Sequence, residues 1–323
     1  MSVTRQEPSA KPSIHDTAMP DVLAKTAGVA VIPCYNEGRN PIDLCAALLA
    51  VPDLRVVFVD DGSDETSRDA LKSLEQFAPR VVVLRNVARI GKVASLLNVL
   101  RSLDPAIERI LTVDCDVVVE PAALDAVLRA LDRADLVFVN AVAMPRPRTL
   151  WERGAIFSAR RNERLRSQAY ATYPALCCNG RLLGMSRRLV DAIVRSDVPR
   201  HTEDAHFMLV ALAHGFPYAY LPQARPHYRA PDTLRDYLRQ SNRFSEGRAL
   251  LHERWPAETL TRYYDPRPYD LLRTLLAQGI RDPLGALAFL AMLAAKALQP
   301  KPERSEPGDW AVATSTKTLK DPR

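Results

Sequence analysis

No apolar core of the secretory-signal type occurs in residues 1–27, which are largely polar. A disordered N-terminal tail is expected there, with no export leader. Cysteine is sparse: Cys34, Cys45, Cys115, Cys177 and Cys178 make five, an odd number, and no two stand as C-x-x-C. A disulfide framework and a structural zinc site are thereby excluded, leaving reduced thiols of the cytosolic kind. His201, His206 and His214 lack zinc spacing. The chain has no G-x-x-x-x-G-K-[ST] and no G-x-G-x-x-G. Those two absences argue against a P-loop and a dinucleotide fold. There is no internal repeat.

Long apolar runs are also missing. The longest candidate, Leu284–Leu298, is broken only by Gly285 and Lys296. As a helix it would reach roughly 22 Å, short of the ~30 Å hydrocarbon core. It reads either as a membrane-surface helix or as one buried in the protein.

The balance is that of a globular protein: 47% of the 323 residues are hydrophobic and 25% charged. The net charge of +6 favours anionic partners, whether nucleotide phosphates, an acidic membrane surface or nucleic acid. Between Arg146 and Arg166, Arg148, Arg153, Arg160, Arg161 and Arg164 are opposed by Glu152 and Glu163 alone. This stretch reads equally as a solvated helix face or an anionic-surface site. A nucleic-acid partner is not expected.

In the first half, short β-branched runs alternate with helical patterns. The runs are Val29–Ile32, Val56–Val59, Val81–Leu84, Ile110–Val113 and Leu136–Val139. Helices are predicted at Pro41–Ala50, Thr66–Phe77, Lys92–Leu103 and Ala122–Leu131. Such alternation requires long crossovers and hence a largely parallel sheet. Further helices are predicted over 149–172, Arg187–Arg195, Glu203–His214 and Leu234–His252, with a late strand at Tyr218–Leu221. Ligands of open parallel sheets bind beyond the carboxyl ends of the strands.

The residues following the strands are polar each time. Pro33-Cys34-Tyr35-Asn36-Glu37 follows the first and Asp60-Asp61-Gly62-Ser63-Asp64 the second. Arg85-Asn86 leads to Gly91-Lys92, and Asp114-Cys115-Asp116 ends the fourth. Asp114 and Asp116 at i and i+2 point the same way in extended chain. Their repulsion is relieved by a hard divalent ion shared with phosphate. Taken alone, a D-x-D is more often a pair of solvated loop carboxylates. Asp60 or Asp61 is a candidate for a nucleobase or ribose, with Asp64 or Ser63 as a helix N-cap. Lys92 at a helix N-terminus suits phosphate. Glu203-Asp204 after Thr202 reads in isolation as a capped first turn. Gln240, Arg243 and Phe244 share one helical patch, where Arg243 could reach a diphosphate and Phe244 a sugar face.

Taken in order, these motifs resemble glycosyltransferase family 2 over roughly residues 28–250. Val31–Glu37 resembles the opening strand and Val59–Thr66 the nucleobase loop. Arg89-Ile90-Gly91-Lys92 resembles the third element and Asp114-Cys115-Asp116 the metal-binding D-x-D. Thr202-Glu203-Asp204 resembles the motif that carries the general base. Gln240-Ser241-Asn242-Arg243-Phe244 resembles the Q-x-x-R-W motif of the processive branch.

The resemblance implies a GT-A fold: α/β and Rossmann-like, a mostly parallel central sheet flanked by helices, with a C-terminal helical extension. It divides the chain into a tail at 1–27, the GT-A domain at 28–250, a helical extension at 251–300 and a flexible tail at 301–323. It implies an inverting transferase using a nucleotide-sugar, UDP-linked by expectation, with Mg²⁺ or Mn²⁺. The acceptor is a hydroxyl of a glycan, lipid-linked or small molecule, in glycan, exopolysaccharide or glycolipid synthesis. Asp204 would be the base, with Gln240 and Arg243 assisting. Pro33, Tyr35, Asn36, Glu37, Asp60, Asp61, Lys92, Asp114 and Asp116 would bind the donor. Asp114 and Asp116 would hold metal, and Cys178, Asn179, Gly180, Glu203 and Phe244 would face the acceptor. A cytoplasmic location follows, peripheral on the inner face of the membrane if Leu284–Leu298 lies on lipid. The alternatives are a non-catalytic sugar-nucleotide-binding subunit of a glycan synthase and a nucleotidyltransferase.

Three departures from the family pattern stand out. Phe244 replaces tryptophan, Asn98 lies one residue further from Lys92 than is common, and Cys178-Asn179-Gly180 stands where Cys-Gly-Ser is frequent. With one short apolar segment, polymer export by this chain alone is not expected.

Overall fold

A computed structural model describes residues 28–299, together with 26, 314–317 and 319. The remainder of the expected tails at 1–27 and 301–323 lies outside the described residues.

Seven strands form the central sheet: β1 (Gly28–Cys34), β2 (Leu54–Asp60), β3 (Val81–Arg85), β4 (Arg109–Val113), β6 (Leu136–Val139), β8 (Leu182–Ser186) and β9 (Tyr218–Leu221). Their order is β3-β2-β1-β4-β8-β6-β9. β1 is parallel to both β2 and β4, and β2 is parallel to β3. β8 runs antiparallel to β4 and β6, while β6 pairs parallel with β9. The sheet is thus mostly parallel, with one reversed strand inside it.

Alternate residues of the strands enter separate layers of core. Val29 and Val31 join Val57, Leu96, Leu100, Ile193 and Phe207 on one face. Ala30 and Ile32 join Val56, Phe58, Leu48, Leu71 and Leu128 on the other. Burial on both faces explains why these strands are continuous β-branched runs rather than apolar–polar alternations. The first face is covered by α3 (Lys92–Ser102), α7 (Arg187–Arg195) and α8 (Glu203–Ala213); α1 (Asn40–Leu49), α2 (Glu65–Lys72) and α4 (Pro121–Ala130) cover the second.

The chain leaves β1 toward β2 on one side and meets β4 on the other. That reversal of strand order opens a crevice at the carboxyl ends of β1 and β4. Register keeps neighbouring strand ends level, with Cys34 opposite Asp60 and Asp60 opposite Arg85. A second, small sheet of β5 (Val117–Val118), β10 (His227–Tyr228) and β7 (Val142–Ala143) lies just beyond β4 in sequence and extends the rim.

The helical extension begins in α9 (Leu234–Arg254) and continues through α10 (Ala257–Tyr263), α11 (Pro268–Arg281) and α12 (Pro283–Ala297). α9, α11 and α12 pack around α5 (Leu150–Ala169), whose N-cap Thr149 accepts a bond from the Glu152 N–H at 3.0 Å. Gly154 of α5 lets α12 approach: a Cβ there would lie 2.6 Å from Met292 Sδ and 3.0 Å from the Phe289 nitrogen. α12 is therefore half buried, through Ala288, Phe289 and Met292, and half apolar surface. The reading of Leu284–Leu298 as a helix packed in the protein describes its inner side, and Leu284, Leu287, Leu290 and Leu293 are exposed on the other. Among the described residues no helix is long and apolar enough to cross a membrane.

Part of the expected flexible tail is ordered. Thr314–Lys317 forms a 3-10 turn lying against the crevice. Local composition predicts a solvated tail there; partners far away in sequence hold it instead. Asn40 Nδ2 donates to the Lys317 carbonyl at 2.8 Å, and the Ser315 N–H to Asp236 Oδ2 at 3.0 Å.

Candidate functional site

The crevice is a cleft lined by the ends of β1 and β4, the start of α8, the middle of α9 and the turn at 314–317. It brings together Pro33, Tyr35, Glu37, Asp61, Lys92, Asp114, Asp116, Asn179, Gly180, Glu203, Asp204, Gln240, Arg243 and Phe244. Three expected site residues stand behind the walls. Asp60 is buried and accepts the Ser63 N–H at 2.9 Å. Cys178 is buried. Asn36 joins two loops: its N–H donates to Ser63 Oγ at 3.1 Å and its Oδ1 accepts the Asp64 N–H at 2.8 Å.

Asp61 reaches the cleft but is committed to structure. Its carboxylate accepts from the N–H groups of Ile90 and Gly91 at 2.8 Å each and from Asn86 Nδ2 at 2.9 Å. The Ser95 hydroxyl adds a fourth bond at 3.1 Å. These bonds tie the β3–α3 loop to the end of β2. Gly91, at φ +95°, makes a turn there that favours glycine. Asp64 caps α2 as predicted, accepting the Ser67 N–H at 2.9 Å.

Lys92 differs most from its expected role. Its ammonium bridges Asp114 and Glu203, with 2.7 Å to each. Burial alone would lower its pKa, but the two carboxylates raise it, so it stays charged. Burial likewise pushes the Asp114 carboxyl up, and Lys92 brings it below the ordinary carboxylate range. The lysine thereby fastens the floor of the cleft to the first turn of α8. Its ammonium is thus already engaged by two carboxylates of the protein, at the lining of the cleft.

Asp204 is half-buried at the start of α8. Its Oδ2 accepts the Gly180 N–H at 2.9 Å and its Oδ1 the Ala205 N–H at 2.8 Å. Burial, then the neighbouring Glu203 charge, raises its pKa to about 6, against the opposing pull of those N–H groups and Lys92. Thr202 is not the expected cap. It sits in the left-handed region at φ +58°, and its hydroxyl donates to the His201 carbonyl at 2.5 Å. Gly247 of α9 makes room for it, since a Cβ there would fall 2.6 Å from Thr202 Cγ2.

Asp114 and Asp116 flank the buried Cys115. Glu37 stands near both, and burial together with those two charges pushes it up to about 7, against Lys317. Its Oε1 pairs with the Lys317 ammonium, while its buried Oε2 has no hydrogen-bond partner among the described residues. Among the described residues no group of three or more acidic, histidine or cysteine side chains is arranged to hold a metal unaided. The Asp114–Asp116 pair with an unsatisfied carboxylate oxygen beside it does fit a hard cation whose remaining ligands are phosphate oxygens.

Several lining residues carry no sequence signal of their own. Arg181 stacks over Tyr228 with 3.6 Å from its Cζ to the ring centroid. Outside the lining, Arg89 of the third motif approaches Gly62 and lies 3.9 Å over the Tyr35 ring. Buried His201 and the pair Thr316 and Lys317 complete the wall. Lys317 lies 280 residues from Glu37, beyond the reach of any local pattern.

The sequence profile described as "Glycosyltransferase like family 2" matches residues 28–247. An N-acetylglucosaminyltransferase of Mesorhizobium japonicum is 27% identical over 285 residues, covering 82% of this chain and 64% of its own length. One from Azorhizobium caulinodans is 28% identical over 246 residues, covering 70% of this chain and 60% of its own. The chain thus spans about 60% of the length of these curated relatives. Among solved structures, the mannosyltransferase PcManGT from Pyrobaculum calidifontis, in complex with GDP-Man and Mn²⁺, has a TM-score of 0.54 at 18% identity. That likeness covers 87% of this chain and 77% of the other, and it supports the GT-A fold. The chain belongs to the glycosyltransferase-like family 2, enzymes that transfer sugars from activated donors.

Proposed function

We propose that this chain moves a sugar from a UDP-linked donor to an acceptor hydroxyl with inversion at the anomeric carbon. One observation carries the reading. The cleft sets a carboxylate pair, Asp114 and Asp116, on its floor and a half-buried carboxylate with a raised pKa, Asp204, on its wall. Donor and base chemistry need that division of roles. N-acetylglucosamine is the first sugar to test, because the curated relatives are named for its transfer.

Tyr35, steadied by Arg89, offers a ring face to the nucleobase. Asp60 and Asp61 hold the loops around it. Asp114 and Asp116 would hold Mg²⁺ or Mn²⁺ together with the donor diphosphate. Such an ion supplies positive charge where the leaving group becomes negative. Asp204 takes the proton of the acceptor hydroxyl as that oxygen bonds to the anomeric carbon. The bond from that carbon to the diphosphate breaks on the opposite face, which inverts the centre. Lys92 keeps the base helix in register with the floor through Glu203 and Asp114. Gln240, Arg243 and Phe244 of α9 enter the cleft where departing phosphate and incoming acceptor meet, and Asn179 and Gly180 border the acceptor side. The products would serve glycan, exopolysaccharide or glycolipid synthesis, and the exposed apolar side of α12 supports a peripheral position on the inner membrane face.

The test is product formation. UDP-N-acetylglucosamine, Mn²⁺ and a panel of hydroxyl acceptors should yield UDP and a product of inverted configuration. A retained configuration would refute the role of Asp204, and turnover unchanged in Asp204→Asn would do the same.

A further inference from the structure

α11 is inside out. Its inward side carries Thr274 and Gln278, 2% and 6% exposed, followed by Asp282 at 8%. Its outward side carries Tyr269, Leu272, Leu276 and Ile280, at 68%, 53%, 59% and 86%. These recur at intervals of three and four, so they form one stripe. The next helix, α12, adds exposed Leu284, Leu287, Leu290 and Leu293. A helix that buries polar groups and exposes aliphatics is ordered for apolar surroundings on its outer side.

Beside this surface lies a groove of about 620 Å³ between α5, α11 and the small sheet. Arg160 and Arg164 of α5 line it, with Arg225, Arg281, Glu163 and Asp282. Both carboxylates are engaged: Glu163 pairs with Arg225 at 2.6 Å and Asp282 with Arg153 at 2.8 Å. The groove therefore keeps a net positive charge. Arg281 directly follows Ile280 and shortly precedes Leu284, so the basic groove meets the apolar stripe at the α11–α12 turn.

We infer that the outward faces of α11 and α12 lie on an anionic membrane, with the groove of Arg160, Arg164 and Arg281 receiving lipid headgroup phosphate. The inference rests on the peripheral placement proposed above and adds the lipid class and the headgroup site. Charge selects lipid over a second copy of the chain. A +6 protein presenting aliphatics edged by arginines is repelled by its own copy and attracted by an acidic interface. Arginine stems can lie along the apolar stripe while their guanidinium groups reach the phosphates.

The test is sedimentation of the full chain with vesicles of phosphatidylcholine alone or mixed with phosphatidylglycerol. Binding should be at least tenfold tighter to the mixed vesicles and should weaken in 0.5 M salt, a ~3–4 Å screening length. Arg160→Glu, Arg164→Glu and Arg281→Glu combined should remove most of that preference. None of the three lines the catalytic cleft, so nucleotide affinity should persist as a check on folding. Equal binding to neutral and anionic vesicles, or a preference untouched by the triple variant, would overturn the headgroup site while leaving peripheral attachment standing. No binding to either vesicle would end the membrane reading as well, and a dimer lost on Leu276→Asn with Ile280→Asn would then assign the face to a second copy.

Discussion

Asp204 carries the heaviest demand of any single residue. As a base it must be charged, and its pKa is raised to about 6. The lower limb of the pH profile of kcat/KM should therefore fall near pH 6, with activity lost below it. A limb below pH 4.5 would show an ordinary carboxylate. The sign for stability is opposite. A carboxyl whose folded pKa exceeds its unfolded value near 4 contributes stability below pH 4 that is lost as pH rises through about 6. Asp204→Asn should cut turnover at least ~100-fold while UDP affinity, read by calorimetry, barely changes. Lys92→Met leaves Asp114 and Glu203 facing one another without their shared cation. Breaking a fully buried pair costs about 3–5 kcal/mol; with the cleft partly open, about 2–3 kcal/mol is expected, read as a drop in the urea midpoint. A midpoint unchanged by this substitution would show that the bridge adds nothing to the fold.

Elements differ in how far they announce themselves. The five β-branched runs became β1, β2, β3, β4 and β6 with small changes at their ends, because strands buried on both faces must be apolar throughout. The reversed direction of β8 comes from its pairing with β4 and β6, which no local pattern records. α11 is expected only as part of the helical extension at 251–300, not as an element of its own. Its aliphatic stripe faces outward, so amphipathic reasoning that assumes an apolar core side has nothing to fasten on. α12 depends on a close approach to α5 at Gly154. Gly154→Val would press on Met292 and on the Phe289 backbone, costing about 1–3 kcal/mol, and should lower Tm and expose α12 to protease. Normal Tm in this variant would mean that α12 can seat elsewhere.

At the scale of the whole molecule, the strand-end carboxylates were legible because the topology of an open parallel sheet says where its ligands go. The acidic residues after β1 and β4 meet at the point where strand order reverses. What could not be read was which of them serve each other. Asp61 is spent on four donors and Lys92 on two acids, and both bonds and bridges cross loops that only the folded chain brings together. Lys317 reaches Glu37 from the far end of the chain for the same reason. The proposed function requires this cleft to bind a nucleotide-sugar diphosphate through Asp114 and Asp116. Calorimetric titration of UDP in Mn²⁺ and then in EDTA tests it most directly, with Asp116→Asn alongside. Micromolar binding that disappears in EDTA and in the variant is predicted; UDP binding indifferent to both, or no binding to UDP, GDP or dTDP under any condition, would contradict it.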